Sequence, residues 1–238
     1  MAYKDFFNKI KGELIVSCQA LPEEPLHGPE TMAKMALAAK IGGAKAIRAN
    51  GVVDILAIKA ATSLPVIGLI KQEYTNSPVY ITPTKKELQA LMDAKVEVIA
   101  LDATSQSRPN REALGEMIAY IRDHSNCLIM GDVSNFEEGI AAAWAGVDMI
   151  STTLSSYTPY TKNRLIPDLP LIEELAKASK VPVIAEGNIK TPDEAAEALR
   201  LGAHAVVVGT AITRPQIVTK YFHDAIRRTA VKISEKKI

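Results

Sequence analysis

Residues 142–153 read AAWAGVDMISTT and residues 198–210 read ALRLGAHAVVVGT. Each passes from an alanine-rich helix end through a small residue or valine to one polar residue, then into a short apolar run of the kind that fills a buried strand. AAKIGGAKAIRA at 38–49 and LMDAKVEVIALDA at 91–103 follow the same order. Their polar markers, Lys45, Glu97, Asp148 and His204, recur at intervals of 52, 51 and 56 positions (45 to 97, 97 to 148, 148 to 204), and each interval holds two strand–helix units.

Outward from these stretches, apolar runs bounded by turn residues occur at 14–19, 46–49, 66–71, 96–101, 127–132, 148–153, 183–186 and 205–209. Between them lie helical-period segments, three of which open on an N-cap residue followed three positions on by Glu: TKKE at Thr84, SNFE at Ser134 and TPDE at Thr191. Strands alternating with helices imply right-handed βαβ units and a parallel sheet. Eight units imply closure into a single (β/α)8 TIM barrel over residues 1–238. An open doubly wound sheet is the alternative, and the lack of a G-x-G-x-x-G after the first strand counts against it.

With 23% charged and 47% hydrophobic residues and a formal net charge of +1, the chain has the composition of an ordinary soluble globular protein. Near-neutral charge offers no electrostatic case for nucleic-acid or membrane partners. No apolar run matches a signal peptide or a membrane span, which sets a cytoplasmic protein as the expectation. Cys18 and Cys127 sit inside apolar runs without a second Cys or His at ligand spacing. They read as packed thiols, and no metal site is expected.

In a barrel of this kind, functional groups stand at the C-terminal ends of the strands. The polar residues there are Gln19, Arg48, Lys71, Asp102, Asp132, Thr153, Glu186 and Asn188. Strand side chains alternate in direction, and counting along the odd-numbered strands gives Gln19, Lys71, Asp132, Glu186 and Asn188 one parity, so these can converge on one side of the wall. Lys71 ends the apolar run of SLPVIGLIKQEY (63–74). An ammonium in such surroundings has its pKa lowered. Beyond the last two strands, Gly187 and Asn188 precede one capped helix, and Gly209 and Thr210 precede Arg214 and Pro215. Glycines let backbone N–H groups approach an anion, and barrels often hold phosphate beyond strands seven and eight, where Arg214 would add a bidentate clamp. Plain turn chemistry also asks for glycine at such places.

LIVSCQALPEEPLH (14–27), AIRANGVVDILAIK (46–59), LPVIGLIKQEY (64–74), VIALDAT (98–104), STTLSSYTPYT (151–161), VIAEGNIKTPDE (183–194) and VVVGTAITRP (206–215) together resemble the N-acylglucosamine-6-phosphate 2-epimerase family of the ribulose-phosphate-binding barrel group. The likeness runs in order from Leu14 to the last helix. It implies interconversion of N-acetylmannosamine 6-phosphate and N-acetylglucosamine 6-phosphate in sialic acid breakdown, without a cofactor. It implies Lys71 and Glu186 as the catalytic pair. Gln19, Arg48 and Asp132, with Thr153 and Tyr157, fall at the sugar-binding positions, and Gly187, Asn188, Gly209, Thr210 and Arg214 at the phosphate. One departure stands out: where the family pattern has LSGYT or LHGYT, this chain has Ser155-Ser156-Tyr157-Thr158, losing a glycine suited to positive φ.

The chemistry asks for the same residue types. Inverting C2 of a hexosamine requires removal of a weakly acidic C–H proton, which ring opening to the C1 aldehyde makes feasible. A neutral Lys71 serves as base, and a Glu186 kept protonated by burial as acid. Three other readings stand beside this one. Lys71 and Glu186 form a structural ion pair across the mouth, Lys71 forms a Schiff base in an aldolase, or the barrel binds a sugar phosphate without turning it over. Asp102, His27, His124, His204 and His223 carry no assigned chemistry, and Trp144 reads as packing between helix and barrel. The implied partner is a small amino-sugar phosphate. Barrels of this group are frequently dimers, and the amphipathic last helix, 216–233, suits either barrel packing or a second subunit.

Overall fold

The computed structural model describes residues 3–235. Eight parallel strands form a closed barrel in sequence order: β1 (Leu14–Cys18), β2 (Ala46–Asn50), β3 (Val66–Leu69), β4 (Val98–Asp102), β5 (Leu128–Asp132), β6 (Met149–Ser151), β7 (Val183–Ala185) and β8 (Ala205–Val208). Closure is made by β8 pairing with β1, Ile15 opposite Val207. Around it stand α2 (Pro29–Ile41), α3 (Val52–Thr62), α4 (Lys85–Asp93), α5 (Leu114–His124), α6 (Phe136–Ala145), α7 (Leu169–Ala178) and α8 (Pro192–Arg200). The short α9 (Thr210–Thr213) and the long α10 (Pro215–Glu235) follow β8.

Strand alternation sorts the core into two layers. Ile15, Ala46, Ile67, Leu69, Val98, Ala100, Leu128, Met130, Met149, Ile184 and Val207 fill the barrel interior. Val66, Ile99, Leu101, Ile129, Ile150 and Val183 face outward, with Ile55 and Ile58 of α3, Leu88 and Leu91 of α4 and Ile121 of α5 in the same cluster. Two of the repeating polar markers have a common structural use. Glu97 Oε2 accepts from the Val66 N–H at 2.8 Å, and Asp148 Oδ2 from the Ile129 N–H at 2.7 Å. Each carboxylate satisfies a backbone donor near the start of the preceding strand, where the ladder has no partner for it.

Four differences from the sequence-based expectations have local causes. The Thr84 and Thr191 capping boxes form, but α6 is capped by Asn135, whose side chain accepts from the Glu138 N–H at 2.9 Å. Asn135–Glu138 satisfies the same spacing rule one position later, and Ser134 instead donates its hydroxyl to Glu138 Oε2 at 2.7 Å. Trp144 is 73% exposed, with Lys180 Nζ 4.3 Å from its ring centroid. Ala142 makes the barrel contact of α6, and a residue two positions on faces away from it. A helix that the hydrophobic pattern did not announce, α1 (Tyr3–Ile10), covers the barrel floor, burying Phe6, Phe7 and Ile10 in the interior cluster. Finally, Ser156 adopts φ 71°, so the loop after β6 keeps the left-handed turn without its glycine.

Candidate active site at the barrel mouth

From floor to mouth the interior changes from apolar to polar, through Ser17, Arg48, Lys71, Ser151, Thr153 and Glu186 to a cavity of about 240 Å³. Its lining also includes Gln19, Tyr80, Tyr157, Gly187, Asn188, Lys190, Gly209, Thr210, Arg214 and Tyr221. The volume lies toward the small end for ligand sites, suited to a compact polar molecule.

Arg48, on β2, is the centre of the polar layer although it is only 1% exposed. Its Nη2 donates to Asp132 Oδ2 at 2.5 Å and its Nη1 to Asp132 Oδ1 at 3.0 Å, a two-pronged pair. The same Nη1 reaches Glu186 Oε2 at 2.6 Å and Thr153 Oγ1 at 3.2 Å. Asp132 is fully buried beneath the guanidinium and is absent from the cavity wall; besides holding Arg48 it accepts from the Thr153 hydroxyl at 2.9 Å. One guanidinium thus faces two carboxylates. Burial pushes the Glu186 carboxyl up, Arg48 opposes this, and the Asp132 charge adds to the rise.

Strand β3 ends at Leu69, but its inward parity continues two residues to Lys71, which bridges antiparallel to Ile81 of the following loop. The Lys71 N–H is held by Asn50 Oδ1 at 2.8 Å. Among the described residues the Lys71 ammonium has no hydrogen-bond or ion-pair partner, and Glu186 pairs with Arg48 instead. The structural ion pair across the mouth is therefore not formed. Burial, then the charges of Arg214 and Arg48, lower the Lys71 pKa to about 8, with Glu186 and Glu24 acting in the opposite sense. The amine is therefore free in space and easily deprotonated.

The other end of the cavity is built by the β7 and β8 loops. Gly187 has φ 116°, and a Cβ there would stand 3.4 Å from the Thr152 carbonyl oxygen. Asn188 follows at φ 57° and donates to the Tyr157 hydroxyl at 3.3 Å. Gly209 lets β8 approach β1, where a Cβ would come within 3.2 Å of Ser17 Cβ. Arg214, between α9 and α10, is clamped by Glu24: Nε donates to Oε2 at 2.8 Å and Nη2 to Oε1 at 2.7 Å. Its Nη1 lies 3.4 Å from Thr210 Oγ1. Gln19 turns its amide to Ser17 Oγ at 2.7 Å.

All the sequence-derived site residues except Asp132 line this one cavity. Asp102 stands apart: it accepts from the Thr104 N–H and hydroxyl at 2.8 and 2.6 Å, and burial lifts its carboxyl to about 6. Sequence reasoning missed Ser17, Tyr80, Lys190, Tyr221 and Glu24. Ser17 shares the parity of Gln19 and was legible. Tyr80 enters through the antiparallel return of the β3–α4 loop and Tyr221 through the docking of α10, neither of which has a local signature. Among the described residues no group of three or more His, Cys, Asp or Glu could hold a metal ion, and no helix is long and apolar enough to cross a membrane.

Residues 32–228 match a family model described as "Putative N-acetylmannosamine-6-phosphate epimerase". A relative from Clostridioides difficile (strain 630), named as the corresponding 2-epimerase, is 55% identical over 219 residues, covering 92% of this chain and 98% of its own length. A relative of the same name from Enterobacter sp. (strain 638) is 49% identical over 231 residues, 96% of this chain and 98% of its own. The solved N-acetylmannosamine-6-phosphate 2-epimerase from Clostridium perfringens superposes with a TM-score of 0.90 at 53% identity, covering 92% of this chain and 96% of that one.

Proposed function

This chain belongs to the N-acetylmannosamine-6-phosphate epimerase family, and from that premise we propose that it interconverts N-acetylmannosamine 6-phosphate and N-acetylglucosamine 6-phosphate at C2, with Lys71 as base. It is an isomerase acting on an amino-sugar phosphate. The observation that carries the role of Lys71 is an unpaired amine of pKa about 8 in the same cavity as a carboxyl with raised proton affinity, that of Glu186.

In the open-chain substrate, neutral Lys71 removes the C2 proton and the C–H electron pair moves into the C1 carbonyl as an enolate. Protonated Glu186, oriented by Arg48, donates a hydrogen bond to the developing negative oxygen. Glu186, as the complementary acid, then gives its proton to the other face of C2, which restores the carbonyl and completes the inversion; Lys71 releases the proton it took to solvent and Glu186 regains one. Gln19, Thr153 and Tyr157 hold the sugar and its acyl group. The backbone of Gly187, Asn188, Gly209 and Thr210, with Arg214, holds the phosphate, whose charge anchors the substrate far from the reacting carbon. Asp132 acts through Arg48.

Incubation with N-acetylmannosamine 6-phosphate in heavy water, followed by proton NMR, tests this reading. Deuterium at C2 and growth of the gluco epimer are expected. Cleavage products, or a mass shift on Lys71 after borohydride treatment with substrate, identify an aldolase; binding without exchange identifies a non-catalytic barrel. A cytoplasmic homodimer completes the proposal. Tyr221, Phe222 and Ile226 of α10, 46%, 69% and 67% exposed, supply an apolar face for the second subunit. Light scattering on the purified chain should give twice the monomer mass.

A further inference from the structure

Glu24 lies in the loop between β1 and α2, shortly after Ser17 and Gln19 and 190 residues before Arg214. Its carboxylate grips Arg214 in a two-pronged pair, and Gln216 Nε2 donates to the same Oε2 at 3.2 Å. The loop that carries it is folded on itself, Glu24 N–H to Leu21 O at 2.9 Å and His27 N–H to Glu24 O at 3.1 Å. Glu24 therefore fastens the loop of the first strand to the segment that follows the last, across the seam where the barrel closes. Arg214 Nη2 also reaches the Gln19 carbonyl oxygen at 3.3 Å, so the guanidinium has one orientation that satisfies three residues of that loop and of α9.

We propose that Glu24 is a positioning residue for the epimerase reaction: by holding the Nε–Nη2 edge of Arg214 it leaves Nη1, beside Thr210, for the phosphate end of the cavity, and it balances the positive charge that Arg214 presents to Lys71. The proposal rests on the functional reading above. A carboxylate left next to an anion subsite is unfavourable for phosphate binding unless it does something else, and orientation of a long, rotamer-rich arginine is such a use. The charged groups that act most on Lys71 are Arg214, Arg48, Glu186 and Glu24, and Lys190, Tyr80, Tyr157 and Tyr221 share the cavity wall. Of these, Glu24 and Glu186 favour the protonated lysine, and only Glu24 is also bound to Arg214.

Two variants separate geometry from charge. Glu24→Asp keeps the charge but withdraws the carboxylate by one methylene, breaking the fork. It is expected to raise KM about tenfold, the scale of one charge-assisted hydrogen bond, with kcat within about threefold of wild type and the acid limb of kcat/KM in place. Calorimetric binding of inorganic phosphate should weaken in parallel. Glu24→Gln keeps the reach but removes the charge, so the acid limb should move to lower pH because Lys71 then loses its proton more readily. A Glu24→Asp protein with wild-type KM and phosphate affinity, or a Glu24→Gln protein whose limb does not move, overturns the proposal. The phosphate titration needs no turnover. Wild-type protein that binds phosphate in a Glu24-dependent way but exchanges no C2 proton would sink the functional reading and leave the role of Glu24 in aiming Arg214 standing.

Discussion

Lys71 and Arg48 are both cations in a largely buried setting, and their environments drive them in opposite directions. Arg48 meets two carboxylates and keeps its charge, its pKa held up against burial by Asp132 and then Glu186. Lys71 meets burial and two guanidinium groups, which bring its pKa down to about 8, so it gives up its proton far more readily than an ordinary ammonium although the charged form still predominates at pH 7. Because the base must be neutral, activity falls as pH drops below about 8, where Lys71 takes up a proton, and rises as pH increases through that value. A profile of kcat/KM with no limb in that region would remove Lys71 as the base. Lys71→Ala should lower kcat by about 10²–10⁴-fold, the usual contribution of a positioned base. Its unfolding midpoint should be maintained, since the amine makes no ion pair whose loss would be felt.

At the scale of elements, the site depends on how β3 is pressed between its helices. Gly68 points outward, and a Cβ there would stand 2.7 Å from Val96 Cγ1 and 3.1 Å from Ile55 Cδ1 and Leu91 Cδ2. Gly68→Ala should destabilise the protein by about 1–3 kcal/mol through overpacking, read as a lower urea midpoint at unchanged slope. Unchanged stability would mean that α3 and α4 have room to give. The β3–α4 loop then brings Tyr80 to the cavity and pairs Ile81 with Lys71. That return was not legible in SPVYITPT, because an isolated antiparallel bridge leaves no period in the sequence. The Thr84 and Thr191 caps were legible, since a capping box is local chemistry. At Ser134 two overlapping windows met the same rule, and side-chain contacts with Glu138 chose between them.

The whole molecule separates stability from chemistry by end. Its floor is apolar and sealed by α1, with Phe6 1% exposed inside the interior cluster. Its mouth is polar and carries the cavity. Phe6→Ala should therefore cost about 3–5 kcal/mol in chemical denaturation while KM of the folded protein stays at the wild-type value. A raised KM would show that floor and mouth are coupled. The strand–helix alternation, the eight strands and the inward parity of Gln19, Lys71, Asp132 and Glu186 were determined by the sequence alone. Each follows from periodicities of two and 3.6 residues, which local sterics impose on any chain. The tertiary structure alone decided that Glu186 pairs with Arg48 rather than Lys71, that Asp132 lies beneath the guanidinium, and that Glu24 reaches Arg214 across 190 residues. Those outcomes depend on distances between strand ends far apart in the chain, and only closure of the barrel fixes them.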